Sequence, residues 1–232
     1  MSHVPPTSPP LGTLPGSTAW PGLAEGLEEV CAEGPRDMAA AMVFALSRLP
    51  PADARPVLLA ANRLWSGEHG RPYGPGFRSA GLGGVRDGRS ANMILAEGRT
   101  EGELLWIMEQ ALRSGAVSAA LSTVEAASLA QTRRLEFAAR DGAAAGIVLR
   151  RTGGGLSAAR RRWRITTLMS ASHPDDEKAP GGFCLRAELT RSRAERPGVW
   201  KLEQDDETHR LRLADRLAGD GLGERGRTGL AA

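Results

Sequence analysis

The sequence of 232 residues has few cysteines, few aromatic side chains and no long apolar run, and each shortage excludes a class of protein. Its two cysteines, Cys31 and Cys184, match no disulfide or zinc-site spacing, which predicts reduced, partly buried thiols. The histidines are scattered without ligand spacing, so we expect no metal centre. No apolar run approaches the roughly 18 residues of a membrane span, and the first residues lack the pattern of a secretory signal. These absences predict a cytoplasmic protein without metal, cofactor or membrane partner.

What the chain does contain is compatible with one folded domain and loose ends. Apolar residues make up 41% of the sequence, which is enough for a sizeable core. The formal net charge is +3 and the pI is about 9.4, a balance that permits an anionic partner such as nucleic acid without requiring one. Residues 1–20 are rich in proline and serine and predict a disordered arm, while residues 215–232 predict a flexible tail.

The stretch from residue 100 to residue 131 indicates the fold class. A capping box at Thr100–Glu103 opens an amphipathic helix, and Gly115 ends it in the left-handed conformation. The mostly apolar, uncharged run Ala116–Val124 is typical of a strand covered on both faces, and Ser128–Gln131 caps the next helix. Helix, buried strand and helix in this order predict a parallel sheet whose functional edge lies at the carboxyl ends of its strands.

Similar short runs predict further strands on both sides of this stretch. They are Gly26–Cys31, Pro56–Ala61, Asn92–Glu97 and Gly146–Arg150. From residue 156 onward the pattern changes, because apolar and polar side chains alternate as they do in antiparallel strands. The sequence therefore predicts an α/β core over residues 21–155, with a mostly parallel sheet flanked by helices, and a C-terminal antiparallel extension of the same domain over residues 156–214.

The first strand, turn and helix have the order in which a phosphate-binding loop occurs, but they lack its residues. In such a loop, backbone N–H groups and a lysine hold the phosphates within the pattern G-x-x-x-x-G-K-[ST]. The turn here offers Gly34, Arg36 and Asp37 instead. Asp37 is interpreted as a helix N-cap, and Arg36 as a solvated side chain with phosphate contact as the alternative. We therefore predict no cofactor at this turn.

The order of several motifs resembles a known family. GLEEV, PYGPGFRSAGL, LLWIMEQALRSGA, RRWRI and LRAELTRSRAERPGVWKLEQDDETHRLRLA are similar to segments of the ImuA family, whose members are related to RecA and to the cell-division inhibitor SulA. The resemblance implies a RecA-like P-loop-type core and a role in damage-induced mutagenesis of the SOS response. It also implies partners: an ImuB-type Y-family polymerase homologue and an error-prone replicative-type DNA polymerase, with RecA and DNA as further candidates.

On the RecA-like pattern, the residues that would grip and cleave a triphosphate are replaced. Met38 and Ala39 stand at the lysine and hydroxyl positions, Asn62 follows the second strand in place of a glutamate, and Ser122–Glu125 contains no aspartate for magnesium. Phosphoryl transfer needs a cation, a metal ligand and a residue that positions the water. The expected protein is therefore a non-enzymatic pseudo-ATPase. A SulA-like division inhibitor and a nucleotide- and DNA-binding RecA-like protein are the alternatives.

The C-terminal region contains an arginine-rich segment with a tryptophan in its middle. Its members are Arg160, Arg161, Arg162, Trp163 and Arg164. The arginines predict contact with a DNA backbone, and the tryptophan predicts stacking on an exposed base. The alternative interpretation is a basic face on an edge strand, which blocks strand-to-strand aggregation.

The strand–turn–strand that follows supplies candidate contacts for a protein partner. These are Arg191, Arg193, Arg196 and Trp200. The three arginines extend the basic patch if they point in the same direction. Trp200 is interpreted as a packing residue of the hairpin, with a partner anchor as the alternative.

Overall fold

The computed structural model describes residues 20–49, 55–70, 93–151, 153–170, 173, 176, 178–205 and 210–214. The predicted tail and all of the predicted arm except its last residue lie outside this part of the chain. No helix within the described ranges combines the length and the apolar character needed to cross a membrane.

The described residues form nine strands, four α-helices and one 3-10 turn. The strands are β1 (Leu27–Ala32), β2 (Val57–Ala61), β3 (Met93–Glu97), β4 (Ala119–Val124), β5 (Ala145–Arg150), β6 (Arg161–Leu168), β7 (Cys184–Ser192), β8 (Gly198–Gln204) and β9 (Leu211–Leu213). The helices are α1 (Met38–Ser47), α2 (Arg63–His69), α3 (Glu101–Ser114) and α4 (Leu129–Asp141), and the 3-10 turn is Pro35–Asp37.

All nine strands belong to one mixed sheet in the order β3-β2-β4-β5-β1-β6-β7-β8-β9. The first six strands of this order run parallel, and β7, β8 and β9 continue the sheet in antiparallel pairs. The mostly parallel sheet with C-terminal antiparallel strands is thus as expected. The expected boundary differs, however, because β6 still pairs in parallel with β1 and antiparallel pairing begins only at β7.

One face of the sheet packs against α1 around a cluster of aromatic rings. The rings belong to Trp20, Phe44, Trp163 and Trp200 and have neighbouring centroids 5.0 to 6.3 Å apart. Trp20 was assigned to the disordered arm, and this assignment is wrong for that residue, because its ring is held between Trp163 and Trp200. Aromatic pairs at such distances contribute beyond their buried area.

The opposite face packs against α3 and α4, whose ends are fixed by side chains. The predicted capping box at Ser128–Gln131 is confirmed, and Gly115 adopts the predicted left-handed conformation with a φ of 67°. The box at Thr100–Glu103 is only half formed. Thr100 accepts from the Glu103 N–H, but the Glu103 carboxylate accepts from the Arg99 N–H instead. Both cysteines are free and buried, as the absence of a disulfide spacing predicted.

Candidate functional site

The middle strand β1 carries two adjacent glutamates that are completely buried. Glu28 and Glu29 have no exposed surface, although β1 has neighbours on both sides and lies in the hydrophobic interior of the sheet. Successive side chains of a strand point to opposite faces, so each glutamate lies on a different side of the sheet. A buried carboxylate is tolerated only where it is paired and hydrogen-bonded.

On the α1 face, Glu28 accepts four hydrogen bonds. Arg48 donates from Nε and Nη2 at 3.1 and 2.9 Å, Arg161 donates from Nη1 at 2.7 Å, and Trp163 donates from Nε1 at 3.0 Å. Arg161 also pairs with Glu195, which lies in the turn after β7. This hydrogen bond from Arg161 lowers the pKa of Glu195 from 4.5 to about 2, against the opposing effect of burial. The hydrogen-bond network around Glu28 thus links β1 to β6 and to the end of α1.

On the other face, Glu29 pairs with two further arginines. Arg162 donates from Nε at 2.7 Å and Arg150 from Nη1 at 3.3 Å. The same two guanidinium groups also donate to backbone carbonyls of the glycine segment, Arg150 to Gly154 at 3.2 Å and Arg162 to Gly155 at 3.1 Å. Glu29 thus fixes the arginines that shape the chain after β5. The sequence signal for this site was the charged pair inside an otherwise apolar strand.

These contacts change the interpretation of the arginine-rich segment. Trp163 is fully buried and faces Glu28 and the aromatic cluster, so the predicted stacking on an exposed base is wrong. Arg161 is also buried, with both pairing partners within the protein. The edge-strand alternative is wrong as well, because β6 lies between β1 and β7.

The remaining arginines of this segment are more accessible but are also paired. Arg160 donates from Nε to Glu136 at 2.7 Å, and Arg164 lies 3.7 Å from Glu33 and 3.8 Å from Glu188. Arg164 projects from the same face as Arg162, since β6 alternates around the buried Trp163. DNA contact through these residues stays a prediction. Arg162 and Arg164 lie on one face of the sheet and Arg161 lies on the other.

The predicted partner contacts also divide into buried and accessible residues. Trp200 is 9% exposed and packs in the aromatic cluster, as the packing interpretation predicted. Arg191 and Arg193 donate to the carbonyls of Ser157 and Ala158, which ties β7 to the segment before β6. Arg196 is exposed in the turn between β7 and β8.

The turn between β1 and α1 is shorter than a phosphate-binding loop. Only Glu33 and Gly34 separate β1 from the 3-10 turn, and α1 follows directly. Asp37 lies at the N-cap position but makes no side-chain cap, contrary to its predicted role. Its carboxylate accepts from the Gly34 N–H at 3.0 Å and from the Thr167 N–H at 2.8 Å. A negative group therefore lies at the start of α1, where it takes one backbone donor of the turn and one of β6. Arg36 is exposed.

Met38 and Ala39, which occupy the predicted lysine and hydroxyl positions, begin α1. Met38 is buried in the core and Ala39 is exposed. Asn62, at the end of β2, caps α2 by accepting from the Trp65 N–H at 2.7 Å. At the end of β4, the hydroxyls of Ser122 and Thr123 are buried without a hydrogen-bond partner in the described chain. The carboxyl edge of the sheet thus carries neutral side chains at these positions.

A cleft of about 600 Å³ opens on the sheet face opposite α1, near the ends of β1 and β5. Its charged lining consists of Glu33, Arg162, Arg164 and Arg191, joined by Thr190 and the backbone of Gly153–Gly154. Cys31 lies in its wall, and burial raises the pKa of this thiol to about 11. Three arginines against one glutamate give the lining a positive balance. Within the described ranges, no group of three His, Cys, Asp or Glu residues could hold a metal ion.

Comparison with known proteins identifies two curated relatives. The chain is 33% identical to Protein ImuA of Caulobacter vibrioides strain NA1000 / CB15N over an alignment of 169 residues that covers 67% of this chain and 66% of the relative. Protein ImuA of Caulobacter vibrioides strain ATCC 19089 / CIP 103742 / CB 15 matches with the same identity and coverage. The match therefore spans just under two thirds of the length of these relatives.

Two further comparisons concern solved structures and protein-family models. The crystal structure of SulA from Pseudomonas aeruginosa has a TM-score of 0.39 and 22% identity, and it covers 53% of this chain and 96% of the SulA chain. No protein-family model matches the sequence.

Proposed function

Because the chain belongs to the ImuA family, we propose that it is a non-enzymatic accessory protein of damage-induced mutagenesis. In this role it supports error-prone DNA synthesis across lesions as part of the SOS response. The observation that carries the proposal is the 33% identity to Protein ImuA over 169 residues. The alignment covers 67% of this chain.

The geometry of the β1–α1 turn supports the absence of ATP chemistry. Backbone N–H groups at the start of a helix hold a phosphate only if they are free to point at it. Here the Asp37 carboxylate lies at the start of α1, accepts from the Gly34 N–H of the turn and the Thr167 N–H of β6, and repels a phosphate at the same position by its charge. Met38 is buried in the core, so it supplies no cation there. The pseudo-ATPase is therefore a scaffold that acts through its surface.

We propose that the scaffold docks an ImuB-type Y-family polymerase homologue, which joins it to an error-prone replicative-type polymerase. Among the arginines predicted to contact this partner, Arg193 and Arg196 are both exposed, whereas Arg191 is partly buried. Arg191 and Arg193 donate to backbone carbonyls of the segment before β6, so replacing either of them would also disturb the fold. Exposed arginine is enriched in protein interfaces. Arg196 is accordingly the first position to test.

A genetic experiment tests the role in mutagenesis. Deleting the gene from its host should abolish most of the increase in rifampicin-resistant mutants after ultraviolet irradiation, and a plasmid copy should restore it. Unchanged mutation frequencies in the deletion strain would contradict the proposal. Filamentation on overexpression without DNA damage would instead support a SulA-like division inhibitor.

A binding experiment tests the docking. The tagged protein should capture the ImuB-type partner from a mixture of purified proteins, and Arg196→Glu should weaken this capture. Arg99→Glu provides the matched control, because the Arg99 side chain is also highly exposed. It lies just before α3 and is far from Arg196 in the sequence. Equal capture by the wild type and both variants would exclude Arg196 from the interface, and no capture by the wild type would contradict the proposed partner.

A further inference from the structure

We propose that the arginine-lined cleft at the carboxyl end of β1 is a binding site for a phosphate group. The ligand is a phosphate ester or a phosphodiester, and the site acts by binding without chemistry. Arg162, Arg164 and Arg191 contribute the positive charge of its lining, and Glu33 is the acidic residue that faces them. The planar guanidinium group matches the oxygen geometry of phosphate, for which arginine is the preferred side chain.

A β-bulge brings two polar residues of β7 to the cleft. Arg162 pairs with Arg191 and Trp163 pairs with Leu189, so Thr190 is an additional residue in β7. In a regular strand Thr190 and Arg191 would point to opposite faces. Because of the bulge, both line the cleft, while Leu189 stays in the core. Bulges that redirect a side chain in this way occur often beside functional sites.

The floor of the cleft is held in place by buried arginines. A Cβ added to Gly153 would lie 3.6 Å from Cys31, whereas a Cβ added to Gly154 would meet nothing within 4 Å. The glycine segment therefore lies close to β1 at Gly153 and leaves open space beside Gly154. Arg150 donates to the Gly154 carbonyl, and its Nε–H is buried without a hydrogen-bond partner among the described residues. An unpaired buried donor of a charged group is costly and calls for an acceptor. Such a donor beside the floor is consistent with an anionic ligand.

The surroundings of the cleft favour recognition of phosphate rather than of a base or an apolar group. The volume of about 600 Å³ suits a small ligand or a short part of a chain. Trp163 also borders the cleft, but its ring lies on the other side of the sheet, where it is fully buried and donates to Glu28. Beyond Arg164, the same face continues over Arg186 and Lys201, which are paired across β7 and β8. This basic surface extends the site without an aromatic platform.

Three carboxylates pair with arginines of this surface and neutralise part of its positive charge. Glu29 is held by Arg150 and Arg162, whereas Glu188 lies 3.8 Å from Arg164 and 3.1 Å from Arg186. Glu33 lies 3.7 Å from Arg164. The contacts of Arg164 are long and half exposed, so this side chain can turn to an incoming anion at low cost. Arg164 is therefore the residue to change, since Arg162 also serves the buried Glu29.

The test uses the full chain and two probes at low salt. Binding of fluorescein-labelled oligothymidylate is followed by fluorescence anisotropy, and binding of pyrophosphate by calorimetry. Arg164→Gln should weaken binding at least about tenfold, the effect of losing one hydrogen bond to a charged group. Glu188→Gln should strengthen it, because it removes a carboxylate that competes for Arg164 and Arg186. The matched control is Arg113→Gln, which removes a similarly exposed arginine from α3, where it pairs with Glu109.

The outcomes separate the two sources of phosphate. Oligothymidylate that binds and is displaced by pyrophosphate supports a nucleic-acid backbone as ligand, and binding of pyrophosphate alone supports a free phosphate compound. Failure of both probes to bind would overturn the proposal, as would equal weakening by Arg164→Gln and Arg113→Gln, which indicates attraction by net charge only. The site does not depend on the proposed role in mutagenesis, so the genetic experiment and this one succeed or fail separately.

Discussion

At the scale of single residues, Glu28 is the side chain whose removal should cost most. Its carboxylate is fully buried and neutralises Arg48 and Arg161 while accepting from Trp163. Glu28→Gln leaves the buried Arg48 without a counter-charge among the described residues and leaves Arg161 with Glu195 alone. Breaking a buried ion pair in this way typically costs about 3–5 kcal/mol. We expect the free energy of unfolding in urea to fall by this amount.

Glu125→Gln is the control for this measurement. Glu125 forms an ion pair with Arg151 of comparable length, 2.9 Å, but both side chains are largely exposed. Exposed pairs contribute about 1 kcal/mol or less. Equal losses in the two variants would mean that the buried network around Glu28 contributes no more than a surface contact.

Glu195 should make the free energy of unfolding depend on pH. Its pKa in the folded protein is about 2, below the usual value of 4.5, because Arg161 donates a hydrogen bond to it. The ionised carboxylate therefore stabilises the fold above about pH 5, and this contribution disappears as the pH falls toward about 2. Glu195→Gln should cost about 1–2 kcal/mol at pH 7, a range reduced because the side chain is partly exposed.

Urea unfolding at a series of pH values measures this effect. The difference in free energy of unfolding between the wild type and Glu195→Gln should narrow steadily below pH 5. A difference that stays constant down to about pH 3 would show that the charge of Glu195 is not what stabilises the fold.

Which of these residues a sequence can identify depends on how far away their partners are. The pair Glu28–Glu29 was visible as part of GLEEV, but the partners of Glu28 lie 20 to 135 residues further along the chain. Local patterns carry no information on such contacts. The same limit made Trp163 look like an exposed stacking residue, since a tryptophan between arginines has the same sequence whether it faces the solvent or the core.

At the scale of elements, the contact between α3 and α4 depends on a glycine. A Cβ placed on Gly142, which follows α4, would lie 1.8 Å from the backbone oxygen of Leu112 in α3. Gly142→Ala must push the two helices apart, and overpacking of this kind costs about 1–3 kcal/mol. Gly67→Ala in α2 is the control, because a Cβ there meets nothing within 4 Å and alanine favours a helix.

Thermal unfolding of both variants checks this prediction. Gly142→Ala should lower the melting temperature, while Gly67→Ala should leave it unchanged or raise it. An unchanged melting temperature for Gly142→Ala would mean that the helix ends adjust without loss, and that α3 and α4 are packed more loosely than their distances indicate.

Elements were predictable where a short segment contains its own signal. The Ser128–Gln131 cap, the left-handed Gly115 and the buried strand between them needed only local rules. The position of β6 did not follow from such rules, because its alternating pattern fits an edge strand and an interior strand equally well. Helix α2 was missed for a related reason: its seven residues, from Arg63 to His69, contain a glycine and bury no side chain, so they show no apolar stripe.

At the scale of the whole molecule, the sheet is continuous from β3 to β9, so the C-terminal strands are part of the fold rather than a detachable unit. Leu185, Leu189 and Leu202 of β7 and β8 belong to the same buried cluster as Phe44 and Trp163. A chain cut before Phe183 would expose this cluster to water. Partner binding is therefore better mapped with surface substitutions than with truncation.

The last prediction concerns nucleotide. We expect no magnesium-dependent ATP hydrolysis by the full chain, because the Asp37 carboxylate accepts from the Gly34 N–H of the β1–α1 turn and from the Thr167 N–H of β6, and the turn has only two residues before its 3-10 segment. Phosphate release and calorimetric titration with ATP measure this. The phosphate site proposed in the arginine-lined cleft predicts weak binding of the triphosphate without turnover, and Arg164→Gln should weaken this binding at least about tenfold. Micromolar affinity that persists in Arg164→Gln, together with turnover that Arg36→Ala abolishes, would instead place a working nucleotide site at the turn and contradict the scaffold role.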